Sequence, residues 1–80
     1  MPTDPIDLVR LGERLANVRR TYGQSIDLLN LQPSLFAVLL GVPGPAYQSY
    51  ERGEMEPTIA FLVRLRKKTG VSIDWLLDLG

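Results

Sequence analysis

The chain predicts an all-α domain of five short helices, and three observations carry that prediction. Apolar residues recur at three- and four-residue steps along most of its 80 residues. Several of these runs open on a proline or a capping polar residue and close on a glycine. No segment alternates apolar and polar side chains as a half-buried strand would.

The first helix opens at Thr3-Asp4-Pro5, with Asp4 as its cap and Pro5 at the first helical position, where a missing N–H is no loss. Leu8, Leu11, Leu15, Val18 and Tyr22 follow as one apolar stripe, and Gly23 is the expected C-terminal cap. Residues 24–31, QSIDLLNL, admit two readings. The preferred one is a single helical turn capped by Ser25, with Ile26 and Leu29 facing the core; the other is a loop held by apolar anchors.

A second helix is expected over Pro33 to Leu40, capped at Gln32, stopped at Gly41 and buried around most of its circumference. The third is expected to begin at Pro45, with Gly44 as its cap, because a residue preceding proline is pushed out of the α region. It carries Tyr47 and Tyr50 inward and stops at Gly53. Pro57-Thr58 starts a fourth helix with Ile59, Leu62, Val63 and Leu65 inward and Gly70 as its stop. Its late cations Arg64, Arg66, Lys67 and Lys68 suit the negative end of the helix dipole. Ser72 caps a fifth helix, Ile73 to Leu79, in which Trp75 is expected in the core.

Residues 1–80 are expected to form a single domain, because 80 residues support one small core and not two. Cysteine and histidine are both absent, which excludes disulfides, zinc sites of the Cys/His kind, thiol nucleophiles and histidine acid–base chemistry. The nine acidic residues are scattered, so no catalytic or metal-binding cluster is implied and no enzyme is expected. The longest apolar run, Leu35 to Val42, is far short of a membrane span, and no secretion signal is evident. A cytoplasmic protein is expected. The formal net charge is +0, but residues 23–57 hold only Arg52 against Asp27, Glu51, Glu54 and Glu56, a net −3.

Five blocks then stand in order: LGERLANVRR, AVLLGV, SYERG, EPTIAFLVRL and GVSIDWLLDLG. Together they resemble the helix-turn-helix of phage repressors and Cro, the XRE family, with an insertion of about seven residues after Gly23. The resemblance implies a five-helix, lambda-repressor-like domain with the helix-turn-helix motif at about residues 33–52. It implies an ion pair between Arg19 and Glu51, which is structural. It also implies that the second helix crosses the DNA backbone while the third enters the major groove.

Two positions depart from the family pattern. Pro33 replaces the usual phosphate-touching Gln, so Gln32 and Ser34 are the substitutes, with Arg52 as the remaining phosphate contact. Tyr47 stands where a β-branched aliphatic is usual, which requires an enlarged core or a part-exposed ring. Base contact maps onto Gly44, Pro45, Gln48 and Ser49; Gly44 offers no side chain, which leaves Pro45, Gln48 and Ser49. Arg10, Arg14 and Arg20 read as solvated charges in the first instance.

The expected function is a sequence-specific transcriptional regulator that binds double-stranded DNA as a homodimer, with the last helix among the candidate pairing surfaces. No cofactor, metal or small-molecule ligand is implied. The competing account keeps the fold but loses the DNA surface, and binds protein through Pro43, Pro45, Tyr47 and the Ile26–Leu31 edge.

Overall fold

The computed structural model describes residues 6–78, which fold as five helices with no strand among them. They are α1 (Leu8–Ser25), α2 (Pro33–Leu40), α3 (Gly44–Glu51), α4 (Ile59–Thr69) and α5 (Ile73–Leu77).

Helix α1 starts later than expected. Asp7 is its cap, accepting the Arg10 N–H at 3.1 Å, so the helix begins where the apolar stripe begins. The expected cap Asp4 and Pro5 lie outside the described residues. The helix also runs past Gly23 to Ser25, because Gly23 serves a different purpose from the expected cap. The following loop folds back on it: the Leu28 N–H donates to the Gly23 carbonyl at 2.7 Å, and a Cβ on Gly23 would lie 2.5 Å from the Leu28 carbonyl oxygen.

That fold-back makes residues 26–31 an anchored loop rather than a helical turn, while residues 24 and 25 complete α1. Ser25 ends α1, its hydroxyl donating to the Tyr22 carbonyl at 2.7 Å, and it caps nothing. Ile26 and Leu29 are exposed; Leu31 is the residue that enters the core.

Helix α2 has the expected bounds, with Gly41 in the left-handed region at φ 74° behind it. It is buried on one face only, through Phe36, Ala37 and Leu40, while Leu35 and Val38 face solvent. Helix α3 begins one residue early, at Gly44, with Pro43 in the cap position. The penalty on a residue before proline comes partly from its Cβ, and Gly44 has none, so it accepts helical geometry. Pro45 then falls within the first turn, where its missing N–H leaves nothing unpaired.

In α4 the Thr58 side chain accepts the Phe61 N–H at 3.0 Å. Leu65 points inward and Leu62 packs partly against the core, as expected, and Phe61 joins them, but Ile59 and Val63 face outward against expectation. Helix α4 ends on Gly70 with Arg66, Lys67 and Lys68 in its last turn. Ser72 caps α5, which stops at Leu77 because Asp78 adopts a left-handed conformation at φ 60°. Leu79 lies outside the described residues.

A relay of aromatic rings joins four helices. Tyr22 of α1 meets Phe36 of α2 at 5.7 Å between centroids, and Phe36 meets Tyr47 of α3 edge-on at 5.4 Å. Phe61 of α4 packs on both Tyr47, at 5.9 Å, and Tyr50, at 4.8 Å. Such pairs add about 0.5–1.5 kcal/mol each beyond the area they bury. Tyr47 is therefore a core residue at 0% exposure, and the core is built around it.

Gly12 sets the distance between α1 and α3. A Cβ there would collide with the Glu51 carbonyl oxygen and lie 2.9 Å from that of Tyr50, both backbone atoms that cannot rotate away. Gly12→Ala is thus expected to lose about 1–3 kcal/mol of stability through overpacking, despite alanine's higher helix propensity. Urea unfolding of the two proteins measures the difference.

Candidate nucleic-acid interface

Three side chains lock α3 to the rest of the domain. Arg19 of α1 donates from Nε to Glu51 Oε2 at 2.8 Å and from its terminal nitrogen to Oε1 at 3.1 Å, a two-pronged pair. Its other terminal nitrogen donates to the Leu31 carbonyl at 2.7 Å, which fixes the loop before α2. The Tyr47 hydroxyl, one turn before Glu51 on α3, donates to Glu51 Oε2. Both charged side chains are largely shielded, at 14% and 12% exposure. The expected Arg19–Glu51 pair is present, and Tyr47 extends it into a cluster of three.

This environment shifts two groups upward. Burial raises the Tyr47 phenol well above its ordinary value near 10, and the Glu51 carboxylate raises it further through a hydrogen bond and its charge. The hydrogen bond that Arg19 donates to Glu51 likewise raises Arg19, with burial opposing it.

With Tyr47, Tyr50 and Glu51 committed inward, the outer face of α3 carries Pro45, Gln48, Ser49 and, at its C-cap, Arg52. Pro45 and Arg52 are exposed, and Gln48 and Ser49 are half-buried. Pro45, Gln48 and Arg52 follow at three- and four-residue steps and so share one side of the helix. Arg52 donates to Glu54 at 3.1 Å, but both side chains are more than half exposed, so this pair is weak and exchangeable.

Gln32 and Ser34 are both exposed at the start of α2. Gln32 occupies the cap position, yet its amide turns back to the Asn30 carbonyl at 3.2 Å and leaves the helix uncapped. Helix α3 is likewise without a side-chain cap. Helices α1, α4 and α5, in contrast, are closed by Asp7, Thr58 and Ser72. The two helices of the turn are thus the two whose N-terminal amides no side chain occupies, and such amides attract anionic oxygens.

Arg20 is a solvated charge as expected, whereas Arg14 and Arg10 have partners besides solvent. Arg14 lies over the Trp75 ring at 5.0 Å and donates to the Trp75 carbonyl, while Asp78 stands 3.6 Å from Arg14 and 3.5 Å from Arg10. These contacts hold α5 on α1. Trp75, expected in the core, is 41% exposed beneath Arg14. The i, i+4 spacing of Tyr47 and Glu51 was a legible signal of the buried cluster; nothing local in the sequence marked the Arg14–Trp75 stack. Among the described residues no group of carboxylates is placed to hold a metal, and no helix is long and apolar enough to cross a membrane.

An α-helical pair joined by a tight glycine turn, with the second helix locked from behind and open in front, defines a helix-turn-helix domain. A family model described as helix-turn-helix matches residues 24–76, more than half of the chain. The chain belongs to that family, the XRE type, which is one of DNA-binding regulatory domains and not of enzymes. Comparison with curated proteins and with solved structures gives no match.

The pH response of Tyr47 has a definite sign. Below pH 10 the phenol is protonated in both folded and unfolded chains and contributes no slope. Above it the unfolded chain loses its proton first, so this group's stabilisation fades as pH rises towards the elevated folded value. Melting measured from pH 9 upward is expected to show the native protein losing up to about 1.4 kcal/mol per pH unit more than Tyr47→Phe.

Proposed function

We propose that the domain is a sequence-specific transcriptional regulator that binds duplex DNA with the outer face of α3 in the major groove. The observation that carries this reading is the pair of uncapped N-termini on α2 and α3, set beside three helices that are capped. Gln48 is assigned to base recognition, since its amide matches the donor and acceptor of adenine, and Ser49 supplies a second polar contact. Pro45 offers an apolar contact to a thymine methyl. The amides at the start of α2, with Gln32, Ser34 and Arg52, are assigned to phosphates.

Such a face reads few bases per half-site. The regulator is therefore proposed to act in the cytoplasm as a homodimer whose two half-sites share the work with DNA shape. The exposed Glu54 and Glu56 beside Arg52 oppose phosphates and set a low electrostatic affinity. The competing protein-binding account loses Tyr47 from its contact patch, because that ring is buried, and retains the exposed Pro43, Pro45, Ile26, Leu28 and Leu29.

Binding to duplex is expected to weaken with salt at a log–log slope of about −0.9 for each phosphate neutralised, measured by fluorescence anisotropy at two salt concentrations. No binding at low salt would overturn the reading. Gln48→Ala is expected to erase preference at one base position, at about 1–3 kcal/mol, whereas Arg52→Ala weakens every sequence alike. Glu54→Gln moves the opposite way, tightening all sequences and steepening the salt response.

A further inference from the structure

Arg14 lies over the Trp75 ring, yet this residue remains 41% exposed. Trp75 is also one wall of a cleft of about 330 Å³ between the C-terminal half of α1 and the link from α4 to α5. That volume falls at the lower end of the roughly 300–1,000 Å³ of small-molecule sites. Tyr22 adds a second ring to the lining, and Val18 and Val71 add aliphatic walls.

The cleft differs from its neighbours in charge. No charged side chain lines it, although charged residues make up 22% of the chain. Other clefts on the domain are bordered by charges: Asp27 before α2, Lys67 and Lys68 beside Leu40, and Asp78 at the end of α5. A ligand ion of either sign would leave water here without meeting a countercharge.

The polar groups of the lining fall into two sets. The Thr69 hydroxyl is used by the fold, donating to the Leu65 carbonyl at 2.8 Å and accepting the Val71 N–H at 3.3 Å. Ser25 likewise donates to the Tyr22 carbonyl. The Asn17 amide nitrogen, the Tyr22 hydroxyl and the Trp75 indole N–H donate to no protein group among the described residues; the hydrogen bonds of these three residues run through other atoms. Two rings and two valines suit a flat apolar body, and spare donors suit acceptors at its edge.

We infer that this cleft binds a neutral, planar aromatic molecule of one or two rings that carries a carbonyl acceptor. The ring lies against Trp75, Val18 and Val71, and its acceptor edge faces the donors of Asn17 and Tyr22. None of these residues is assigned to DNA, so the site stands or falls apart from the regulator reading.

Acetophenone is the probe, with benzoate and benzylamine as charged counterparts, and amide-detected NMR of the isotope-labelled full chain is the measurement. Trp75 is the single tryptophan of the chain, so its indole N–H gives one unambiguous signal. Acetophenone is expected to shift that signal and the Val18 and Val71 amides saturably, with a Kd on the order of a millimolar for a ligand of its size. Benzoate and benzylamine are expected to bind at least about tenfold more weakly. Asn17→Asp, at an exposed position, exchanges a donor for an acceptor and is expected to weaken acetophenone at least about fivefold. Tyr22→Phe keeps the ring and is expected to weaken it about twofold to tenfold. The absence of a saturable shift, equal binding of all three probes, or indifference to both substitutions overturns the proposal. Signals that move with protein concentration and not with the probe put a second copy over Trp75 and overturn it too.

Discussion

One carboxylate holds three parts of the chain together. Glu51 near the end of α3 accepts from Arg19 of α1 and from the Tyr47 hydroxyl, while Arg19 reaches on to the Leu31 carbonyl before α2. Taking charges out of water is costly, and such a cluster is stable only when its lone pairs and protons are all used. Here no buried side-chain polar atom among the described residues is left without a partner. The consequence is geometric. The orientation of α3 is set from behind by directional bonds, where an apolar contact alone would tolerate rotation about the helix axis.

The division of labour on α3 follows. Tyr47, Tyr50 and Glu51 are spent on the core and the lock, and Gly12 lets α1 come close enough for Arg19 to reach. What remains outward is small and mostly uncharged. A protein with no net charge and an acidic loop beside its only outward arginine on this face has little electrostatic pull on DNA. On the function proposed above, contacts with DNA come from helix-terminal amides and a few polar side chains.

Much of this was legible before any coordinates. Where start and stop residues bracket a segment, as Pro33 and Gly41 do for α2 and Thr58 and Gly70 for α4, the helix bounds agree to within a residue. The errors share a cause: a residue with two local uses was assigned the commoner one. Gly23 resembles a helix stop but makes room for a returning loop, and Gly44 before proline resembles a cap but begins a helix. Trp75 has the composition of a core residue, yet its place under Arg14 depends on two segments about sixty residues apart, which no local pattern reports. The α3 surface was legible because the spacing of Tyr47 and Tyr50 fixed its inward side, and the outward side followed by subtraction. The apolar face of α2 was not, because a helix without a single charged residue reads as buried all round.

The account stands on the coupling between Arg19 and Glu51, and a double-mutant cycle tests it most directly. Arg19→Met and Glu51→Gln, singly and together, are compared by urea unfolding; glutamine keeps an acceptor for the Tyr47 hydroxyl. Each single change leaves a shielded charge unpaired and is expected to cost about 3 kcal/mol or more. The double change is expected to cost far less than the sum, with coupling towards the upper end of the roughly 0.5–3 kcal/mol seen for contacting residues. Costs that simply add, to within about 0.5 kcal/mol, would contradict the claim that this pair holds α3 in place.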